Sequence, residues 1–125
     1  MSQTLSPPAY KRVDDRGEFV EIIAEGSWEA VILGKMRAGA VMGRHYHNLT
    51  RIYFYLKAGE AEIIVVDVAT NERTSFDLQE GHGTYLEPGQ AHAIRFTKPS
   101  EFVMTKSHRH DPANPDTFPF PIEFD

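Results

Sequence analysis

The sequence of 125 residues contains no cysteine. This absence excludes disulfide bonds, thiolate metal sites and a cysteine nucleophile, and it fits a reducing compartment. Long apolar runs are missing as well: segments such as Ile63–Val66 are far shorter than the ~18 residues that a membrane-spanning helix needs. Residues 1–8 carry neither a basic segment nor an apolar one. We therefore expect no secretory signal, no membrane partner and a cytoplasmic protein.

Basic residues are fewer than acidic residues. The chain has 13 Lys and Arg against 18 Asp and Glu, which gives a formal net charge of −5. Surfaces that bind nucleic acid normally need clustered basic residues, so we expect no nucleic-acid partner. The remaining composition, 41% hydrophobic and 25% charged, is typical of a globular protein. The length suits a single domain.

Helical periodicity is also missing, because no window repeats apolar residues at i, i+3, i+4 and i+7 over more than two turns. Short apolar or alternating runs are present instead, separated by turns rich in Gly, Pro and Asn. Many short strands at even spacing predict a sandwich or a barrel. The predicted strands cover residues 19–24, 30–36, 52–56, 61–68, 74–78, 84–86 and 93–96.

The predicted organisation is a single all-β domain with two extensions. Residues 1–9 form a flexible, polar arm, residues 10–110 form the barrel, and residues 111–125 form an extended tail. The tail holds too many prolines for a central strand or a helix interior, so we expect it to lie across the barrel or a partner subunit. Small barrels often pair through strand edges or sheet faces, and we expect a homodimer.

Six histidines are many for this length, and His45 and His47 are separated by one residue. If this segment is extended, the two-residue period of a strand places both imidazoles on one face. His92 follows a Pro-Gly turn, where a new strand is predicted. Converging imidazoles can bind Zn, Fe, Ni or Mn, or can place a general base beside a proton donor. The three histidines are therefore candidate metal ligands, and His45 and His47 are candidate catalytic residues.

The glycines and histidines of this region resemble the two motifs of the cupin superfamily. The matching residues are Gly39-x5-His45-x-His47 with Gly59, and Pro88-Gly89-x-x-His92. The resemblance implies a double-stranded β-helix, also called a jelly-roll barrel. Cupins include isomerases, dioxygenases and plain binding proteins, so the fold alone does not name a reaction.

One position departs from the cupin pattern. The family usually has a glutamate ligand four or five positions after the second histidine, and Arg51 and Ile52 stand there. Replacing a carboxylate with an alkyl side chain removes one ligand and one negative charge, and a nearby Arg weakens metal binding further. Three neutral histidines can still bind zinc, with water in the fourth position. The resemblance therefore leaves a divalent metal, with zinc favoured, as the expected cofactor.

The two flanks resemble a narrower group, the cupins that act on nucleotide-linked keto-sugars. This group includes dTDP-4-keto-6-deoxyglucose 3,5-epimerases, 3,4-ketoisomerases and the C-terminal epimerase domain of capsular-polysaccharide sugar-nucleotide enzymes. The segments are Asp14-Asp15-Arg16-Gly17-Glu18-Phe19-Val20-Glu21 and Asp111-Pro112-x-Asn114-Pro115-Asp116-Thr117. The resemblance implies an epimerase or isomerase of polysaccharide biosynthesis whose small-molecule substrate is a nucleotide sugar.

Such a reaction removes a proton next to a carbonyl and returns it elsewhere. It requires a base with a pKa near neutrality, a group that stabilises the enolate oxygen and an acid for reprotonation. We assign His45 as the base, paired with His47. His92 or a bound metal would polarise the keto oxygen.

The acid and the phosphate contacts are assigned to other side chains. Strand parity places Tyr53 and Tyr55 on the outer face, which leaves Tyr85 as the preferred acid. Arg16 and Arg44 are the candidates for holding the diphosphate, because a guanidinium binds phosphate through paired hydrogen bonds.

Two other classes of function are compatible with the sequence. One is a metal-dependent cupin oxygenase or hydrolase that uses His45, His47 and His92. The other is a non-catalytic barrel that binds a sugar or a small acid, with the histidines lining its pocket. The replacement at Ile52 favours the binding protein over the oxygenase. The segment at Arg16 favours the sugar-nucleotide enzyme over both.

Overall fold

The computed structural model describes residues 5–125, and the regular structure in that range is entirely β-strand. The all-β prediction is confirmed. The described part of the chain contains no helix that is long and apolar enough to span a membrane. The strands are β1 (Tyr10–Asp14), β2 (Gly17–Glu21), β3 (Ala30–Met36), β4 (Val41–Tyr46), β5 (Ile52–Ala58), β6 (Glu60–Asp67), β7 (Arg73–Gln79), β8 (His82–Leu86), β9 (Gln90–Phe96), β10 (Ser100–Lys106) and β11 (Phe118–Pro119).

Two antiparallel sheets pack against each other as a jelly-roll. The first has the strand order β3-β10-β5-β8, and the second has the order β11-β4-β9-β6-β7. Strands β1 and β2 form a separate two-stranded hairpin. Because the strands alternate side chains between two faces, each sheet gives one apolar face to a shared core.

The core between the sheets is built from alternate residues of the central strands. Ile52, Phe54 and Leu56 of β5 point into it and meet Ile94 and Phe96 of β9. None of these five side chains is more than 2% exposed. Burying one such side chain contributes about 1.5–3 kcal/mol of hydrophobic free energy, so this core is a main source of stability.

The tail covers the outer face of the second sheet. Ile122 is 2% exposed and packs with Phe120 and Phe124 against Ile64 and Val66 of β6. This contact brings the segment before it, residues 108–117, to one end of the barrel, where it forms part of the cavity described below.

All seven predicted strands are present, with shifted bounds; β2 begins at Gly17 and ends at Glu21 instead of Ala24. Strands β1, β4, β10 and β11 were not predicted. His45 in β4 and Lys106 in β10 are polar side chains that face inward, so they interrupt the alternation of apolar residues by which a strand is predicted. Residues 1–4 of the predicted arm lie outside the described residues. Ser6 exchanges backbone hydrogen bonds with Gly83 of β8.

Candidate functional site

A bulge in β4 aims His45 at the barrel interior. The register with β9 shifts between Gly43 and His45, and Arg44 adopts a left-handed conformation with φ of 61°. An extra residue of this kind bends a strand and redirects the following side chain. As a result His45 lies directly opposite His92 on the neighbouring strand.

Three histidines meet at this point, as the motif spacing predicts. The ring centroids are 5.1 Å apart for His45 and His47, 4.8 Å for His45 and His92, and 6.0 Å for His47 and His92. Each ring offers one nitrogen, and these nitrogens lie within 4.8 Å of one another. His47 and His92 are buried, and His45 is the most exposed of the three.

A backbone carbonyl of the tail fixes the orientation of His47. Its Nδ1 lies 2.5 Å from the carbonyl oxygen of Asp116, so Nδ1 carries the hydrogen and donates it. The Asp116 carboxylate is farther away, at 3.9 Å from Nδ1, so the carbonyl is the hydrogen-bond partner. The other nitrogen, Nε2, then presents a lone pair; it is buried and has no hydrogen-bond partner among the described residues. Nδ1 of His92 is likewise buried without a hydrogen-bond partner among the described residues.

Burial keeps all three imidazoles neutral. It lowers the pKa of His92 to about 3, with a smaller contribution from the neighbouring His45 and His47. Burial also lowers the pKa of His45, assisted by His47 and by the charge of Lys106. The pKa of His47 is lowered by burial despite the opposing effect of Asp116. Neutral imidazoles can accept a proton or bind a metal near pH 7.

A cavity of about 450 Å³ opens beside the cluster, and His47 is the member of the cluster that lines it. Strand β10 and the segment that follows it form one wall of this cavity. That wall carries the positive charges of Lys106 and Arg109, and the lining also holds the carboxylates of Glu29, Asp111 and Asp116.

Lys106 is the charged residue beside the histidines that sequence reasoning missed. It pairs in register with Ile52 of β5, so both side chains point to the inner face where a cupin glutamate would stand. Within residues 5–125 the Lys106 ammonium has no ion pair. The period-two pattern of β10 could have revealed its direction, but that strand was not predicted.

Arg51 lies on the other face and does not bring its charge to the histidines. Its Nε donates to the Glu87 carboxylate at 2.8 Å, and its guanidinium stacks 3.8 Å above the Tyr85 ring. The positive charge beside the histidine cluster is therefore that of Lys106.

The structure places Tyr85, the residue assigned as the acid, away from the histidine cluster. Tyr85 pairs in register with Tyr53, so both rings lie on the sheet face opposite Ile52 and the core. Its hydroxyl donates to the Glu25 carboxylate at 2.5 Å, and its ring stacks on Trp28. None of the tyrosines among residues 5–125 lines the cavity beside the histidines. The parity argument that set Tyr53 and Tyr55 aside applies equally to Tyr85.

The two arginines assigned to the diphosphate also lie elsewhere in this chain. Arg16 is exposed at the β1–β2 turn, where it pairs with Asp14 at 2.7 Å. The bulge turns Arg44 to the outer face, where its Nε donates to the carbonyl of Ile122 at 3.0 Å. Neither residue lines the cavity. Arg109 does line the cavity, and its Nε lies 3.9 Å from the Glu29 carboxylate.

The donor set fits a zinc ion. The Nε2 lone pair of His47 is buried and has no hydrogen-bond partner among the described residues, and the hydrogen bond that holds His47 is the outer-sphere support typical of a metal-binding histidine. His45 and His92 supply the other two nitrogens. Ile52, which pairs in register with Lys106, offers no ligand atom where the family usually has a carboxylate.

The profile of one protein family matches residues 12–118 of the chain, and its description is polysaccharide biosynthesis C-terminal domain. No curated protein matches the chain. Among solved structures, the capsular polysaccharide assembling protein CapF from Staphylococcus aureus is 25% identical, with a TM-score of 0.69. The match covers 94% of this chain and 34% of CapF, so the chain spans about a third of that protein.

Two other solved structures resemble this chain over most of its length. The rmlC epimerase of Mycobacterium tuberculosis is 20% identical, with a TM-score of 0.76 over 92% of this chain and 66% of its own. A 3,4-ketoisomerase from Helicobacter canadensis is 14% identical, with a TM-score of 0.76 over 94% of this chain and 90% of its own. These likenesses show that the jelly-roll described above is the cupin fold, which confirms the resemblance.

Proposed function

The chain belongs to the polysaccharide biosynthesis C-terminal domain family, and from this we propose that it is an epimerase or isomerase of nucleotide-linked keto-sugars. The observation that carries the proposal is the cluster of three neutral imidazoles beside the charge of Lys106 at one wall of a cavity. Proton abstraction next to a carbonyl needs a neutral base and a nearby positive charge, and both are present. Structures with the same fold include a dTDP-4-dehydrorhamnose 3,5-epimerase and a 3,4-ketoisomerase.

In this proposal His45 is the base. It is the most exposed member of the cluster and lies next to His47, the member that lines the cavity, whereas His92 is buried. Its neutral ring accepts the proton from the carbon next to the keto group. His47, held by the Asp116 carbonyl, stands 5.1 Å away, ring centroid to ring centroid, and limits how the His45 ring can turn.

Lys106 stabilises the enolate oxygen that forms as the proton leaves. A fixed charge that faces developing negative charge in a site shielded from water lowers the barrier more than the same charge in bulk water. Arg109 lies farther out along the same wall, with its side chain 79% exposed, and holds the diphosphate at the mouth. In an epimerase, a histidine of the wall would return a proton to the same carbon on its opposite face. In a ketoisomerase, His45 would return its proton to the former carbonyl carbon, while the neighbouring hydroxyl passes its own proton to the enolate oxygen and becomes the new carbonyl.

Zinc binding is a second candidate property of the same cluster, supported by the buried, unpartnered Nε2 of His47. His45, His47 and His92 would hold the ion. When bound, it would supply a Lewis acid that polarises a carbonyl oxygen. In that case His45 is a ligand, and the chain would be either a metal-assisted epimerase or a metal-dependent cupin of another class.

The experiment that tests the proposal is His45→Ala with His82→Ala as the matched control. His82 lies in β8 and its ring contacts the Glu80 carbonyl, outside the cluster. A panel of nucleotide-linked 4-keto-sugars in deuterated water should show solvent deuterium at the carbon next to the carbonyl with the wild type and the control. The His45→Ala variant should lose this exchange while its circular dichroism is unchanged.

Retained exchange in His45→Ala, or no exchange with any sugar in the panel, would overturn the proposed role. Elemental analysis of both proteins decides between the two uses of the cluster. About one zinc per wild-type chain, lost in His45→Ala, supports the three-histidine metal site. A metal-free wild type that still catalyses exchange supports His45 as the base.

We also propose that the chain forms a homodimer through the unpaired edge of β3. This strand has a hydrogen-bonded neighbour on one side only, β10, within the described part of the chain. Val31 and Leu33 point outward from it and are 67% and 78% exposed. Exposed apolar side chains on an unpaired edge strand are a feature of subunit contacts.

A further inference from the structure

One residue of the tail, Asp116, connects the chain segment after β4 to the histidine cluster. Its carboxylate accepts hydrogen bonds from the backbone N–H groups of Asn48, Leu49 and Thr50, at distances of 2.8 to 3.2 Å. The Thr50 hydroxyl donates a further bond at 2.8 Å. Its backbone carbonyl accepts the hydrogen bond from His47 Nδ1. A single residue therefore holds both a ring of the cluster and the loop that leads away from it.

This carboxylate is ionised at neutral pH. Burial raises the pKa of Asp116, but the hydrogen bonds from the Thr50 hydroxyl and from the three backbone N–H groups outweigh that effect and hold it below its usual value. Hydrogen bonds to an ionised acceptor are shorter and stronger than those between neutral groups. The loop and the tail are thus joined by several charge-assisted bonds, even though their residues are far apart in sequence.

We propose that Asp116 is a positioning residue, which sets the tautomer of His47 by placing its own carbonyl against the ring. The carbonyl can only accept, so it selects the ring form with hydrogen on Nδ1 and leaves the Nε2 lone pair facing the other histidines. The carbonyl stays in place because the carboxylate is anchored to the loop. The tail therefore determines which atom His47 offers to a ligand. The proposal refines the proposed function but is tested without any substrate.

The tautomer of His47 can be read directly in the full chain. Long-range ¹H–¹⁵N spectra of the ¹⁵N-labelled protein distinguish a protonated ring nitrogen from an unprotonated one. The wild type should show His47 with hydrogen on Nδ1 alone. Asp116→Ala keeps the backbone carbonyl but removes the anchor, so His47 should show a mixture of both tautomers. The amides of residues 48–50 should exchange with solvent faster, by about tenfold for each 1.4 kcal/mol of lost local stability.

Asp111→Ala is the matched control, because its carboxylate bonds only within the tail, to Ala113 and Asn114. It should leave His47 and residues 48–50 unchanged. Asp116→Asn keeps the size of the side chain and serves as the test if Asp116→Ala fails to fold. It should shift the His47 tautomer in the same direction, but less. A wild type with hydrogen on Nε2, or a folded Asp116 variant with an unchanged His47 tautomer, would overturn the proposal.

The two proposals fail in different ways. Loss of the tautomer effect with sugar exchange intact would reject the positioning role alone. Absence of sugar exchange with the tautomer effect intact would reject the enzymatic function and leave the positioning role in place for whatever ligand the histidines bind.

Discussion

At the scale of single residues, the chemistry of the site depends on a pairing between β5 and β10. Ile52 stands where cupins usually have a glutamate, and Lys106 is its partner across the sheet. The exchange replaces a negative group with an apolar one and adds a positive group beside the histidines. A site of this charge is better suited to developing negative charge on a substrate than to a tightly bound dication.

Lys106→Met tests this charge while keeping most of the side-chain volume. Removing a single group that stabilises an oxyanion typically lowers kcat by about 10²–10³-fold. We expect a loss of that size in the exchange of sugar protons with solvent, with KM much less affected. Lys98→Met is the control, since Lys98 is exposed and pairs with Glu60 at 3.5 Å on the surface. An exchange rate within a few-fold of the wild type would contradict the role of Lys106.

The residues that could be predicted from sequence are those that depend on local geometry. His45 and His47 share a face because of the two-residue period, and the turn before His92 delivers it to the next strand. Lys106 and Asp116 could not be found in this way. Their contacts depend on the register of β10 and on the path of the tail, both set by packing between distant segments.

At the scale of elements, the β4 bulge is the feature that assembles the cluster. Gly43 has φ of 98°, and a Cβ built on it would lie 2.6 Å from the carbonyl oxygen of His92. Only glycine allows β4 to approach β9 so closely in this conformation. The bulge was not visible in the sequence, because Gly43-Arg44 carries no turn signature. The two-residue spacing still places His45 and His47 on the same face, because both residues follow the bulge.

Gly43→Ala should therefore be more damaging than an ordinary substitution of a left-handed glycine. Gly39→Ala is the matched control: Gly39 has φ of 88°, but its added Cβ would meet nothing within 4 Å. The control should lose about 1 kcal/mol from backbone strain alone. Gly43→Ala should lose about 2–4 kcal/mol, because the clash is added to the strain. Urea denaturation measures both, and equal losses in the two variants would show that the contact with His92 does not matter.

At the scale of the whole molecule, the chain buries most of its large apolar side chains within its own fold. Several of those that stay exposed lie on a few strands. The core lies between the sheets, and the tail covers the outer face of the second sheet. The exposed apolar side chains among residues 5–125 include Val13, Phe19, Val31 and Leu33, on the β1–β2 hairpin and on β3. The fold class could be predicted because strand periodicity is local. The uncovered surface could not, since it depends on which faces the tail protects.

In the proposed homodimer, two antiparallel β3 strands related by a two-fold axis would satisfy each other's backbone groups and bring Val31 and Leu33 of the two copies side by side. Light scattering of the wild type should give twice the mass of one chain. Leu33→Lys places a charge at the centre of that contact and should give a monomer with an unchanged circular dichroism spectrum. Leu49→Lys is the control, because Leu49 is 65% exposed on the loop after β4 and should leave the dimer intact. A monomeric wild type, or a dimeric Leu33→Lys variant, would show that β3 is not the subunit contact.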